Sequence, residues 1–283
     1  MSSPVAVVTD STAYLPQEEV LRLGITVVPL QVIVGGRPLD DVAQIGGAEM
    51  AEALKEWTPV TTSRPAPQRF ADAYREAAAR GAQGVVSIHL SGEMSGTVEA
   101  AGNGAADAPI PVEVIDSRSL AMGLGFPVLA AAEAAAKGAS LAEAAAAARR
   151  RMEGIRDFFY VDTLEYLRRG GRIGAAATLL GSALMIKPLL HITGGTISPL
   201  EKVRTATRAI SRLEDLAVQA AGDRPADVAV QHISARPRAD SLAERLSQRL
   251  PAPSRVMVVE VGAVIGAHVG PGMLGVTVSP ISL

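Results

Sequence analysis

The chain has 283 residues, 48% of them hydrophobic but only 3% aromatic, and its 27 basic and 29 acidic side chains leave a formal net charge of -2. That length accommodates two domains, and the even balance leaves no global positive field for nucleic acid or anionic lipid. With no cysteine, a disulfide framework, a thiol nucleophile and a Cys-ligated metal are all excluded.

The opening Met1-Ser2-Ser3-Pro4 runs into an apolar segment without the basic region of a signal peptide. Val5–Val8 reads as a strand, Thr9-Asp10-Ser11-Thr12 as the polar turn after it, and Pro16-Gln17-Glu18 as the start of a helix. Val27–Val34 is expected to form a second strand, with a turn at Gly35-Gly36 and a helix capped by Asp40-Asp41 that reaches about Trp57. A helix over Gln68–Arg80 and strands at Gly84–Ile88 and Val112–Ile115 follow. Each strand ends in small polar residues, so a rim of Asp, Ser and Thr stands where open parallel sheets gather their ligands. Phe126–Lys137 and Leu141–Met152 are alanine-rich helices. The apolar stretch Gly125–Ala136 carries Glu133 and meets Lys137 before it reaches membrane-spanning length. A soluble, cytoplasmic protein without integral membrane association is the expectation.

A second unit is expected from about Ile155. It has a strand at Phe158–Val161, a short helix at Thr163–Arg169 and a break at Gly170-Gly171. Gly174–Ile186 reads as a nearly all-apolar helix. Pro188–Ile192, Gly194-Gly195 and Thr196–Pro199 resemble a hairpin. Helices Thr205–Ala220 and Asp240–Leu250 alternate with strands Val228–His232 and Val256–Val261, and Leu274–Val278 closes an α/β pattern.

Three polar phrases stand out. Thr61-Thr62-Ser63-Arg64-Pro65 lies between two expected helices, and Pro65 extends the backbone at Arg64. It is either a helix N-cap or a turn that binds oxygen. Ser95-Gly96-Thr97 follows a strand and precedes a helix starting about Val98. It is a simple cap, or a place where a hydroxyl and free helix amides meet a ligand that Gly96 lets approach. It is neither a P-loop nor a GxGxxG turn. His268 falls in the glycine-rich Gly266–Gly275, expected as a turn that presents the ring for contact. His89, His191 and His232 are scattered without the spacing of a metal site, so no metal is expected. Ser95, His268 and Asp10 could be written as a Ser–His–Asp set, but no GxSxG elbow accompanies them. Arg168-Arg169-Gly170-Gly171-Arg172, Lys187 and Lys202-Val203-Arg204 supply local positive charge. That charge is either a solvated surface or a docking face for a partner that handles phosphate groups. Only Tyr166 interleaves an aromatic ring, which argues against nucleic acid.

Taken in order, Val5–Thr12, Thr62-Ser63-Arg64-Pro65, Ser95-Gly96-Thr97, Val114–Ser117, Leu164–Ile173, Ile186-Lys187-Pro188 and His268-Val269-Gly270-Pro271-Gly272 resemble the bacterial DegV family of fatty-acid-binding proteins. The resemblance runs from residue 5 to about 278. It implies a two-domain α/β fold, with a mostly parallel sheet in the first domain (1–154) and a smaller mixed α/β second domain (155–283). It also implies a bound long-chain fatty acid such as palmitate, stearate or oleate, and neither a cofactor nor catalysis by the chain itself. The carboxylate-binding residues then fall on Thr62, Ser95 and His268, with Asp10, Ser11, Ser63, Arg64, Gly96, Thr97 and Gly270 as further cleft contacts. The partner implied is an ATP-dependent fatty acid kinase subunit that makes an acyl phosphate for phospholipid synthesis. Arg168, Arg169, Arg172 and Arg204 are the candidates to face it or its phosphate, and transient membrane contact is compatible with that role. Two positions depart from the family pattern: Arg64 stands where Gln is common, and Val98 where Tyr is common. Leu179, Leu180, Leu184, Met185, Leu189 and Leu190 are candidate walls for the tail. The rival readings are a Ser/His-dependent acyl hydrolase or transferase and a protein-docking scaffold.

Overall fold

Val5–Asp10 forms an inner strand of a four-stranded sheet in the computed structural model, which describes residues 4–56, 58–179 and 186–281. The strand order is Thr26–Val28, Val5–Asp10, Gly84–His89, Val112–Asp116, and every pairing is parallel. Parallel neighbours need a crossover, and the helices Gln17–Leu23, Pro67–Ala79, Thr97–Ala105, Met122–Ala136 and Leu141–Glu153 belong to the same unit. Gly84–His89 is buried at all six positions, as a strand covered on both faces must be. Val8, Phe70, Tyr74, Val85 and Ala101 share one core. Small residues let the layers close up: a Cβ at Gly104 would stand 2.7 Å from the Pro67 carbonyl oxygen.

The chain forms two compact units. Residues up to Gln31 and Ser63–Glu153 make the first, while Val32–Thr62 joins Gly154–Leu283 in the second. The chain therefore passes between the units around Val32–Thr62 and again after Glu153. Pro29 is the reason the Val27–Val34 run is not one strand. Thr26–Val28 pairs into the parallel sheet, Pro29 and Leu30 are irregular, and Gln31–Val34 enters a separate three-stranded sheet. That sheet has the order Arg37–Asp40, Gln31–Val34, Val60–Ser63. Thr61-Thr62-Ser63 is thus strand rather than cap or turn, in keeping with its β-branched residues. The helix expected from Asp40-Asp41 begins only at Gly47 and ends at Lys55, with Glu49 Oε2 accepting from the Gly46 amide at 2.6 Å.

The second unit is built on a six-stranded mixed sheet in the order Thr196–Val203, Lys187–Thr193, Arg156–Tyr160, Leu274–Pro280, Ala226–His232, Arg255–Glu260. The expected hairpin is present as the antiparallel pair Lys187–Thr193 and Thr196–Val203. Helices Ala206–Ala221 and Arg236–Arg249 contribute Leu213, Leu242 and Leu246 to a core with Val228, Val230, Val276 and Val278. The opposite parity carries the polar residues Gln231 and Thr277. Thr277 Oγ1 donates to Asp157 Oδ1 at 2.5 Å and accepts from Gln231 Nε2 at 2.8 Å, so the buried hydroxyl is satisfied across three strands. Of the expected helix Gly174–Ile186, Gly174–Leu179 is a 3-10 helix, and Leu180, Leu184 and Met185 lie outside the described residues. Among the described residues, no helix is long and apolar enough to cross a membrane.

Leu213 is fully buried in the second unit's core. Leu213→Ala is expected to cost about 2–5 kcal/mol, read as a lower urea midpoint with an unchanged denaturant slope.

Candidate functional site

His268 lies in the last turn of a seven-residue helix, Ala263–Val269, and not in a glycine-rich turn. Gly266 does not break this helix because its lack of a side chain is used for packing. A Cβ there would stand 2.4 Å from Ile233 Cδ1 and 3.3 Å from Met50 Cγ. At the other end, Asp41 Oδ1 accepts from the Ala263 and Val264 amides at 2.8 and 3.2 Å. The helix stops at Gly270, with φ of 75° and its amide bonded to the Gly266 carbonyl at 2.9 Å. The Tyr166 ring lies against Gly270, where a Cβ would come within 2.2 Å of the ring.

The imidazole is held on one side only. Nε2 is 2.8 Å from Thr62 Oγ1, while Nδ1 is buried with no hydrogen-bond partner among the described residues. Gly170 makes room for it: a Cβ at that position would stand 2.0 Å from Nδ1. Burial, reinforced by the nearby Arg172 charge, pushes the His268 pKa down to about 4. A helix C-terminus favours the cation, but by only about 0.3–1 kcal/mol, less than one pKa unit. The ring is therefore neutral at neutral pH, with one N–H and one lone pair. If Nε2 carries the proton, it donates to Thr62 and leaves the threonine O–H free to donate onward.

Ser95 is half-buried in the first unit, in the turn after Gly84–His89. Its amide donates to the Ser91 carbonyl at 3.1 Å, and its hydroxyl is 2.8 Å from Thr97 Oγ1. The space over Gly96 is not open backbone, because the Arg64 guanidinium occupies it. Nη1 donates to the Gly96 carbonyl at 3.3 Å and to Glu99 Oε2 at 2.6 Å, and a Cβ on Gly96 would come within 2.3 Å of Nη1. Arg64 and Glu99 are both exposed, so the pair is worth little. Ser63 Oγ donates to the Arg64 carbonyl at 3.2 Å.

Asp10 is an internal anchor rather than a cleft lining. Oδ1 accepts from the Thr12 amide and hydroxyl at 3.0 and 2.5 Å, and Oδ2 accepts from the Leu90 amide and His89 Nδ1, each at 3.0 Å. His89 Nε2 is 2.7 Å from Ser87 Oγ, which in turn is 2.8 Å from the Tyr74 hydroxyl. All four side chains are wholly buried, and the Tyr74 pKa is pushed up to about 12 by that burial. Ser87 has both of its hydrogen-bonding roles filled inside the core, so this Asp–His–Ser array offers no accessible nucleophile. Sequence reading missed it, although the i, i+2 spacing of Ser87 and His89 on one strand places them on one face. The rival hydrolase set is not assembled: Asp10 orients His89, His268 is held by Thr62, and Ser95 by Thr97. Ser11 Oγ accepts from the Leu30 amide at 3.1 Å.

Arg168 and Arg169 both donate to Glu165, at 2.7 and 2.6 Å, and hold its carboxyl down at about 2. Arg172 Nη1 donates to the Gly170 carbonyl at 2.8 Å, and Arg204 is exposed beyond Thr196–Val203. Arg238 was not singled out by the sequence. It donates to the Tyr160 hydroxyl at 2.7 Å and to the Gly272 carbonyl at 3.3 Å, steadying the loop after His268. Among the described residues, no group of three or more His, Asp or Glu could hold a metal. Of the candidate tail walls, Leu189 is part of the sheet core, Leu190 is buried on the opposite face beside Phe159, and Leu179 is buried. A described cavity of ≈ 260 Å³ lies in the first unit, lined by Val5, Val7, Leu23, Ala77, Ala132 and Ala135 among others. It falls below the ~300 Å³ at which ligand pockets usually begin.

Gly170→Ala is expected to expel the imidazole from its seat and break the Thr62 contact, visible as a displaced His268 in a crystal structure of the variant. The folded state binds the His268 proton more weakly than the unfolded chain, whose ordinary value is 6.5. Stability is therefore lost as pH falls from about 6.5 to about 4. Urea midpoints over this range should fall more steeply for the parent protein than for His268→Ala.

The profile of the DegV family of uncharacterised proteins matches residues 4–280. A DegV domain-containing protein of Streptomyces coelicolor is 56% identical over 279 residues, covering 99% of each chain. Among solved structures, a fatty-acid-binding DegV family protein from Thermus thermophilus is 35% identical with a TM-score of 0.92, covering 98% of this chain and 99% of its own. DegV of Bacillus subtilis, a fatty acid binding protein, is 34% identical with a TM-score of 0.90, covering 99% and 100%. The likeness spans sequence and fold over nearly the whole length, and the chain belongs to the DegV family.

Proposed function

We propose that this protein binds one long-chain fatty acid, such as palmitate, stearate or oleate, and holds its carboxylate through Thr62, Ser95 and His268. The observation that carries the reading is the Thr62–His268 pair, a half-buried hydroxyl against an imidazole kept neutral by burial. Fatty-acid binding by the Thermus thermophilus and Bacillus subtilis relatives supports it. A sixteen-carbon chain has roughly fourteen methylenes at about 0.8 kcal/mol each, so desolvation of the tail favours binding by near 11 kcal/mol before ordering costs. Affinity then comes from the tail and register from the head, with Leu179 and Leu190 as candidate walls.

Neutral donors suit a carboxylate that must later react. In the fuller proposal, an ATP-dependent fatty acid kinase subunit is the partner, in the cytoplasm. A carboxylate oxygen attacks the γ-phosphorus of ATP, the bond to the β,γ-bridging oxygen breaks, and ADP leaves with that electron pair. A buried arginine on the carboxylate would withdraw the charge the attack requires, whereas hydroxyl and imidazole donors orient the oxygen without neutralising it. Arg168, Arg169, Arg172 and Arg204 are proposed to face the partner or its phosphate. Arg64 donates to Glu99 and the Gly96 carbonyl at the exposed surface.

Mass spectrometry of lipid extracted from the purified protein should yield a long-chain fatty acid. Ser95→Ala, Thr62→Val and His268→Ala should each weaken uptake of a fluorescent fatty acid by about 10–100-fold, the loss of one hydrogen bond to a charged group. A protein that neither carries nor takes up a fatty acid would sink the proposal. If binding holds but no acyl phosphate forms with a fatty acid kinase subunit and ATP, only the kinase step fails.

A further inference from the structure

Asp41 stands 222 residues from the helix it caps, although the sequence marked it as the cap of the helix that follows it. The Ala263–Val269 helix has seven residues, too few to persist without tertiary support, and its own N-cap residue, Gly262, has no side chain to offer. Asp41 is 1% exposed, and Oδ1 takes the first two orphan amides of that helix. Its placement is maintained against local preference. The next residue, Val42, is β-branched yet has φ of 67°, in a turn closed by the Val42 amide on the Ile45 carbonyl at 3.0 Å and an Asp41–Ile45 bridge. The same excursion grips the helix again. A Cβ at Gly47 would stand 2.3 Å from the Val261 carbonyl oxygen, and Met50 fills the space left by Gly266. It then ends at Thr62, the partner of His268.

We propose that Asp41 is a positioning residue for His268: by anchoring the N-terminus of the helix to the segment that also carries Thr62, it sets the Thr62–His268 contact. The reason is geometric. Among the described residues the imidazole has one hydrogen-bond partner, so its place depends on the axial position and rotation of a short helix, and Asp41 fixes both from the end opposite the ring. The inference rests on the proposed role of His268 in binding the fatty acid head, but its decisive measurement does not.

The experiment compares the whole protein with Asp41→Ala and Asp41→Asn, with Leu213→Ala as a control that destabilises the same unit elsewhere. Nuclear magnetic resonance at neutral pH, without added lipid, reads the His268 ring signals and their contact with the Thr62 methyl. Asp41→Ala should move the ring signals toward those of a solvated histidine and abolish the contact. Asp41→Asn keeps an acceptor oxygen and should restore much of both, whereas Leu213→Ala should leave both in place. Fatty-acid affinity should fall about tenfold in Asp41→Ala and less in Asp41→Asn. Unchanged ring signals in a folded Asp41→Ala overturn the proposal. Should that variant not fold, Asp41→Asn decides, with a partial shift supporting the proposal and none overturning it. If the parent protein binds no fatty acid yet the ring responds as described, the binding function fails and the positioning role stands.

Discussion

The hydrogen bond between Thr62 Oγ1 and His268 Nε2 joins residues 206 positions apart, and the second unit is arranged so that it can form. One end of it rides on a strand that leaves the first unit's sequence to enter another sheet, and the other on a helix too short to hold itself. Each is placed by neighbours: Gly170 by being empty, Asp41 by taking two amides, and Gly266 by letting Met50 and Ile233 close in. Burial then keeps the ring uncharged. The Thr62–His268 pair thus presents an uncharged hydroxyl and imidazole, a property set by packing rather than by residue type.

The first unit solves a different problem with similar parts. Its Asp10, His89, Ser87 and Tyr74 form a closed polar chain inside a core of valine, alanine and phenylalanine, linking the ends of adjacent strands. Removed from water, such groups are tolerated only when each is satisfied. Residues that look catalytic in a list are consumed in holding the strand ends from which the Ser91–Ser95 turn departs. The two histidines differ in what they leave unspent: both ring nitrogens of His89 are engaged, whereas Nδ1 of His268 has no partner among the described residues.

Much of the architecture was legible because it rests on local chemistry. Alternating or continuous apolar runs marked the strands at Val5, Gly84, Val112 and Ala226, and alanine-rich periodic stretches marked the helices between Pro67 and Glu153. The misreadings share a cause. Thr61-Thr62-Ser63 looked like a cap, yet became a strand because a distant strand, Gln31–Val34, was available to pair with it. Gly266–Gly275 looked like a turn, yet its first half is helical because Met50 and Ile233 occupy the surface that Gly266 leaves bare. Both outcomes depend on partners far along the chain, which local propensity does not register.

By itself the sequence determined the α/β pattern, the lack of thiol chemistry, the family, and the candidacy of Thr62, Ser95 and His268. The first two follow from residue types and spacing along one dimension, and the family from the resemblance of its ordered motifs. The tertiary structure alone decided that Val32–Thr62 belongs with the later unit, that Asp10 serves His89, that Arg64 answers to Glu99, and that Asp41 caps the helix of His268. Each of these is a choice among many chemically equivalent partners, settled by which groups the packed backbones bring within hydrogen-bonding distance.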